Sequence, residues 1–129
     1  MGQIAGSAPL PAQKSWPTRD AADGYIAQRI DDELKSLDAN DLLYQLDASR
    51  NYDPSTLLGS MKATVMWVNS ADDFINPPEL GIADKKVGEI KNARFVLIPI
   101  SEQTHGHGTH TWAALWKDYL AELLKATEH

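Results

Sequence analysis

The hydrophobic residues follow two different patterns along the chain. In the first half they recur every three or four positions, which is the period of an amphipathic helix. This spacing predicts a helix that begins after the capping residue Thr18 and reaches Leu34, and a second helix over about 39–50 after Asp38. Residues 1–17 have no sustained period, and their glycines and prolines predict an extended lead-in segment.

Short and nearly continuous apolar runs appear in the second half, over residues 64–68 and 94–100. Runs of this kind are typical of strands covered on both faces in a parallel sheet. The apolar residues that follow Pro77 have helical spacing, and so do those after Trp112. The order strand, helix, strand, helix predicts an α/β arrangement with a right-handed crossover between parallel strands. Two such strands leave faces and edges uncovered, so we expect further strands from elsewhere.

The change of pattern divides the chain into two parts. Residues 1–55 hold the lead-in segment and two helices, and residues 56–129 hold the strand-helix-strand-helix part. A chain of 129 residues with 43% hydrophobic content is long enough for one modest core.

Charge and composition exclude several classes of function. The net charge of −6, without a basic stripe, disfavours nucleic-acid binding. The chain has no cysteine, which excludes disulfides, thiolate metal ligands and a cysteine nucleophile. The first residues lack the features of a secretory signal, and no apolar run approaches the ~20 residues that span a bilayer. We therefore expect a cytoplasmic protein that contacts neither nucleic acid nor membrane.

Polar residues follow both predicted strands. Asp72 and Asp73 come after the first, and histidines 105, 107 and 110 come after the second. Because the carboxyl ends of parallel strands share one edge, an aspartate and a histidine from these segments are expected to meet. A carboxylate that accepts a hydrogen bond from one nitrogen of an imidazole fixes the tautomer of the ring, and the second ring nitrogen can then act as a general base. The alternatives are that the aspartates cap the next helix or lie in water, and that the histidines bind zinc, for which the spacing is a weak signal.

Two longer stretches resemble the end of the homoserine O-acetyltransferase family of α/β-hydrolases. They are DANDLLYQLDASRNYDPSTLLGSMKATVMWVNSADDFINPPELG, from Asp38, and RFVLIPISEQTHGHGTH, from Arg94. The resemblance implies that the chain is a C-terminal fragment of an α/β-hydrolase fold. It would contain the last two parallel strands with their flanking helices, preceded over 18–50 by helices from the lid that such enzymes insert into the sheet.

The resemblance also assigns roles to two residues. The family's catalytic acid lies in a D-x-x-x-P setting, which Asp73 and Pro77 match and Asp72 does not. The family's histidine follows a glycine before the final helix, which Gly106 and His107 match. The implied activity is transfer of an acyl group from acyl-CoA to an amino acid hydroxyl through a Ser-His-Asp acyl-enzyme, in methionine biosynthesis. Acyl-CoA is a co-substrate, and no further cofactor and no metal are implied.

The sequence departs from the family pattern at two places. The nucleophile elbow G-x-S-x-G is absent, because the only glycines spaced four apart, Gly2 and Gly6, have Ile4 between them. The chain alone is therefore expected to be inactive. The family's acceptor-holding aspartate after the histidine is replaced by Gly108. An ester hydrolase fragment, a non-catalytic binding module and one half of a split enzyme are the alternatives. The expected partners are a small-molecule substrate of the intact enzyme, and either a second copy or a complementing N-terminal half.

Overall fold

The computed structural model describes residues 8–128, which combine helices with one small parallel sheet. These residues fall into two compact units, and each is described by itself. Gln13–Pro54 forms a helical unit, and residues 8–12 and 55–128 form the unit that contains the sheet. None of the helices in the described part has the length and apolar content that crossing a bilayer requires.

Of the three early helices, the second and third begin where the sequence predicts. Helix α1 is Pro9–Ser15, α2 is Arg19–Leu34 and α3 is Ala39–Asp47. The Thr18 hydroxyl accepts a hydrogen bond from the Ala21 amide at 3.2 Å, and the Asp38 carboxylate accepts from two amides of the first turn of α3. Both predicted caps are thus confirmed.

The prediction of an extended lead-in segment over residues 1–17 is wrong for residues 9–15, which form helix α1. Residues 1–7 of the predicted segment lie outside the described part of the chain. Pro9 and Pro11 both fall in the first turn of α1, where amide groups have no partner within the helix. The missing N–H of proline therefore costs nothing at these positions, and its fixed φ suits a helix.

The sheet consists of two parallel strands, β1 at Val65–Ser70 and β2 at Ala93–Ile98. Between them lie a 3₁₀ helix at Pro78–Leu80 and helix α4 at Ile82–Val87. The predicted single helix after Pro77 is therefore divided, because Gly81 adopts a left-handed conformation at φ 62°. Helix α5 at Ala113–Thr127 follows a 3₁₀ helix at Gly106–Thr111, and another 3₁₀ helix, Ser55–Ser60, precedes β1. The predicted α/β class and parallel pairing are confirmed.

One edge of β1 is occupied by β2. The Val65 amide donates to Asn92 and the Ala71 amide donates to Ile98, at 2.8 and 2.9 Å. Peptide groups alternate in direction along a strand, so those of the even-numbered residues of β1 point toward the opposite edge. Those residues are Met66, Val68 and Ser70. Within residues 8–128 no strand pairs with that edge.

The two faces of the sheet carry different side chains. Trp67 and Phe95 share one face, where their rings meet edge to face with centroids 6.2 Å apart. Arg94 lies on the other face and forms an ion pair with Glu122 of α5. Most apolar side chains of the sheet are half-buried, and Leu97 is exposed. Ala8, Ile90 and Ile98 are the only buried hydrophobic residues in the described part. Two strands thus leave much of their apolar surface uncovered.

Candidate active site

Asp73 lies in the tight turn that follows β1. Its amide donates to the Ser70 carbonyl at 3.1 Å, and its Oδ1 accepts hydrogen bonds from the amides of Ile75 and Asn76 at 2.8 and 3.0 Å. The residue is only 4% exposed. This local turn, in which an aspartate binds the backbone two and three residues ahead, holds the carboxylate in one orientation.

His107 lies in the 3₁₀ helix that follows β2, and its imidazole meets Asp73. The ring nitrogen Nδ1 is 3.1 Å from Oδ2 and 3.2 Å from Oδ1 of the carboxylate. The Asp73 side chain is 5% exposed, whereas that of His107 is 37% exposed. The structure therefore places the two predicted site residues in hydrogen-bond contact, with the histidine ring open to an approaching molecule.

The charge of Asp73 decides the tautomer of His107. Burial on its own would raise the pKa of Asp73, but hydrogen bonds from the Asn76 amide, His107, the Ile75 amide and the Asn76 side chain outweigh it. They lower the pKa below its ordinary value of 3.8. An ionised carboxylate only accepts, so Nδ1 of His107 carries the proton and Nε2 presents its lone pair. Nε2 makes no hydrogen bond within the described residues.

The lowered pKa predicts how acid affects stability. A group whose pKa is lower in the folded state stabilises the fold fully above its unfolded value, here 3.8, and loses that contribution as pH falls through the folded-state pKa. We expect Asp73→Asn to lower the free energy of unfolding at neutral pH. The difference in free energy of unfolding between wild type and variant should shrink below pH 3.8. Urea unfolding of both proteins between pH 2 and 7 measures this. A gap that widened as pH fell would contradict it.

Asp72, next in sequence to Asp73, has a different environment. It is 1% exposed and accepts hydrogen bonds from the Ser70 hydroxyl, the Thr104 hydroxyl at 2.8 Å and the Gly106 amide at 3.2 Å. The alternative that it caps the next helix or lies in water is therefore wrong. Its donors Thr104 and Gly106 lie 32 and 34 residues away in sequence, so no local pattern could have indicated them.

The other two described histidines contact different groups. The His105 ring stacks on Trp112, with centroids 4.0 Å apart and planes inclined by 14°. His110 donates from Nδ1 to the His107 carbonyl at 2.6 Å, and its own carbonyl accepts from the Trp116 indole. Across residues 8–128, no group of three or more His, Cys, Asp or Glu side chains is arranged to hold a metal ion.

A cavity of about 590 Å³ opens beside the dyad. Its walls include His107 and Asp73, and β1 contributes five successive residues, 66–70. The cavity therefore lies along β1, whose one edge has no strand paired with it in the described part of the chain. Helix α5 adds apolar residues to the lining, namely Trp116, Leu120 and Leu123.

Chemically, the arrangement is a base with an orienting acid. The imidazole is held by a buried, ionised carboxylate, and its free nitrogen can take a proton from a hydroxyl brought within hydrogen-bond distance. No protein-family model, curated protein or solved structure matches this chain. The geometry of the dyad and the resemblance in sequence therefore carry the functional conclusion.

Proposed function

We propose that this chain supplies the acid and the histidine of a Ser-His-Asp acyltransferase site, as the C-terminal part of an α/β-hydrolase fold. One observation carries the proposal: Nδ1 of His107 lies 3.1 Å from the buried Asp73 carboxylate, while Nε2 makes no hydrogen bond in the described part, and His107 lines a cavity. Asp73 orients the ring and stabilises the imidazolium, and His107 moves the proton.

In this mechanism the two residues act twice. Nε2 of His107 takes the proton of a serine hydroxyl while the serine oxygen attacks the thioester carbonyl of acyl-CoA. The C–S bond then breaks, and the CoA sulfur leaves with the proton from Nε2. In the second half, Nε2 removes the proton of an amino acid hydroxyl, which attacks the serine ester. The serine oxygen recovers that proton as the new ester leaves.

The serine must come from another polypeptide segment. The 129 residues contain no G-x-S-x-G elbow, so a second copy of the chain would bring none. We infer a complementing segment with a strand that pairs in parallel with β1. The unpaired peptide groups of Met66 and Val68 offer its hydrogen bonds, and the cavity along that edge offers apolar side chains for it to cover. The carboxyl end of such a strand lies on the same side of the sheet as His107.

The donor and acceptor follow from the resemblance. The proposed donor is acyl-CoA, and the proposed acceptor is homoserine or another amino acid with a side-chain hydroxyl. The absence of cysteine is compatible with a reducing compartment, and the proposal places the protein in the cytoplasm. No nucleic acid takes part, in keeping with the net charge of −6.

The test is an assay of the chain alone and of the chain mixed with the protein encoded immediately upstream. Release of the CoA thiol from acetyl-CoA is followed in the presence of homoserine. We expect no turnover from the chain alone, and turnover in the mixture that His107→Ala lowers by about 10²–10⁴-fold. Turnover by the isolated chain that depends on His107 would contradict the claim that the serine lies elsewhere. Absence of turnover in the mixture would contradict complementation by that protein.

Ester hydrolysis is the second candidate, and Gly108 favours it. The family's acceptor-holding aspartate is missing at this position, so water is left as the competing attacker of an acyl-enzyme. A Cβ added at Gly108 would meet only the His105 Cβ, at 3.7 Å, which is an ordinary contact. Packing thus does not require glycine here, and the missing carboxylate has a chemical consequence rather than a steric one.

We expect Gly108→Asp to raise the ratio of transfer to hydrolysis by about tenfold, because a contact of about 1.4 kcal/mol between the new carboxylate and the acceptor ammonium corresponds to that ratio. The ratio is measured in the mixture, as homoserine ester formed against carboxylic acid released. Gly108→Ala is the matched control, since it adds the Cβ without the charge, and we expect no change from it. An equal rise in both variants would show that the charge is not responsible.

A further inference from the structure

We propose that Asp72 is a positioning residue, which holds the segment that bears His107 so that the imidazole stays on Asp73. For its catalytic consequence the inference rests on the proposed function. The two neighbouring aspartates then have separate tasks. Asp73 contacts the ring directly, whereas Asp72 acts through Thr104 and the backbone of Gly106.

The hydrogen bonds of Asp72 join the ends of both strands. Asp72 follows β1, and its Oδ2 accepts from the Thr104 hydroxyl and from the Gly106 amide, both of which follow β2. Gly106 immediately precedes His107 and adopts a left-handed conformation at φ 57°. The amide that Asp72 holds is therefore one residue from the histidine, at the point where the backbone turns into the 3₁₀ helix.

Thr104 is the centre of this network. It is 0% exposed, and its Oγ1 accepts from the Ser101 amide at 3.1 Å. Its single hydroxyl proton has two acceptors at 2.8 Å, the Asp72 carboxylate and the Ser101 carbonyl. The charged acceptor makes the stronger bond. Thr104 thus links the turn after β2 to the end of β1 by hydrogen bonds. The site is buried, so a polar group left there without a hydrogen-bond partner would destabilise the fold.

Asp72 is separated from the chemistry itself. Its carboxylate makes no hydrogen bond with the His107 ring within the described residues, and it does not line the cavity beside the dyad. Its effect must pass through the placement of Gly106 and His107. Loss of the network is then expected to leave the cavity and the Asp73 turn in place while the ring loses its fixed position.

The test compares variants of Thr104 in the full chain. Thr104→Val keeps the shape and removes the hydroxyl, whereas Thr104→Ser keeps the hydroxyl. Nitrogen-15 NMR reports the tautomer of His107 and the exchange of its Nδ1 proton with water. We expect exchange about tenfold faster in Thr104→Val, as loss of the hydrogen bond from Thr104 to Asp72, at about 1.4 kcal/mol, predicts, and nearly unchanged in Thr104→Ser.

A matched control separates positioning from general loss of stability. Thr127 of α5 also bonds a backbone carbonyl through its hydroxyl, at 2.9 Å from Leu123, but lies far along the chain from the dyad. We expect Thr127→Val to leave the His107 signals unchanged. If Thr104→Val does not fold by circular dichroism, Asp72→Asn serves instead, since it keeps an oxygen acceptor and loses the charge. Its Nδ1 exchange is expected to rise severalfold.

The proposal is overturned if a folded Thr104→Val, or Asp72→Asn in its place, shows the wild-type tautomer and exchange rate. It is also overturned if Thr104→Ser speeds the exchange of the His107 Nδ1 proton as much as Thr104→Val does. The NMR measurement needs no serine nucleophile, partner or acyl donor. A clear effect on His107 together with no turnover in the mixture would therefore contradict complementation by the protein encoded upstream and leave the positioning role standing.

Discussion

Replacing His107 with alanine is expected to lower acyl transfer, in the mixture of this chain with the upstream-encoded protein proposed to carry the serine, by about 10²–10⁴-fold. In the proposed mechanism, the imidazole nitrogen Nε2 takes and returns the proton in both halves of the reaction, and the Nδ1 contact with Asp73 at 3.1 Å keeps the ring in the active tautomer. Alanine removes the base and leaves the carboxylate without a partner. The loss should appear in kcat, measured from release of the CoA thiol.

The control for this variant is His105→Phe. His105 stacks on Trp112 and does not line the cavity, and phenylalanine preserves the stacking while it removes an imidazole two residues away. We expect turnover within about threefold of wild type, since no proton transfer is assigned to this ring. A loss from His107→Ala smaller than about tenfold, or an equal loss from both variants, would exclude His107 as the general base.

Replacing Asp73 with asparagine is expected to lower kcat by about 10³–10⁴-fold, because it changes the tautomer of His107. Oδ1 accepts from the amides of Ile75 and Asn76, so the oxygen of the new side chain must remain at that position. The NH₂ group then takes the place of Oδ2, opposite Nδ1. Nδ1 becomes the acceptor, the proton moves to Nε2, and the base is lost.

Two measurements check this result. Nitrogen-15 shifts of His107 in the isolated chain should report protonation at Nδ1 in the wild type and at Nε2 in Asp73→Asn, and thiol release in the mixture should give the loss of kcat. Asp84→Asn is the matched control, because Asp84 is exposed in the first turn of α4. An unchanged tautomer in Asp73→Asn would contradict the assignment of Asp73 as the orienting acid.

Asp73 remains ionised through the neutral and mildly acidic range, because its pKa is lower than 3.8. Protonation of this carboxylate therefore does not limit activity there, and an acidic fall in rate must come from another group. Asp72 and Asp73 thus illustrate how two adjacent acids differ through their donors. Asp73 binds an imidazole and two backbone amides, whereas Asp72 binds two hydroxyls and one backbone amide.

Much of the local structure could be predicted from the sequence. The caps Thr18 and Asp38, the beginnings of α2 and α3, and the two strands follow from neighbours within about four positions. The failures are also local. The sequence does not predict helix α1, because prolines occur both in the first turn of a helix and in loops. It does not predict the division at Gly81, because a glycine within a helical pattern can either continue the helix or end it.

For the site, the sequence by itself determined the candidates: a resemblance in motif selected Asp73 and His107, and no G-x-S-x-G elbow occurs within these 129 residues. Only the tertiary structure decided which groups meet. The parallel register sets Ser70 beside Ile98, and the turns beyond these residues bring Asp73 to His107 and Asp72 to Thr104 across 34 and 32 positions. Local periodicity carries no information about contacts at that separation, since they depend on strand pairing and on the direction of each turn.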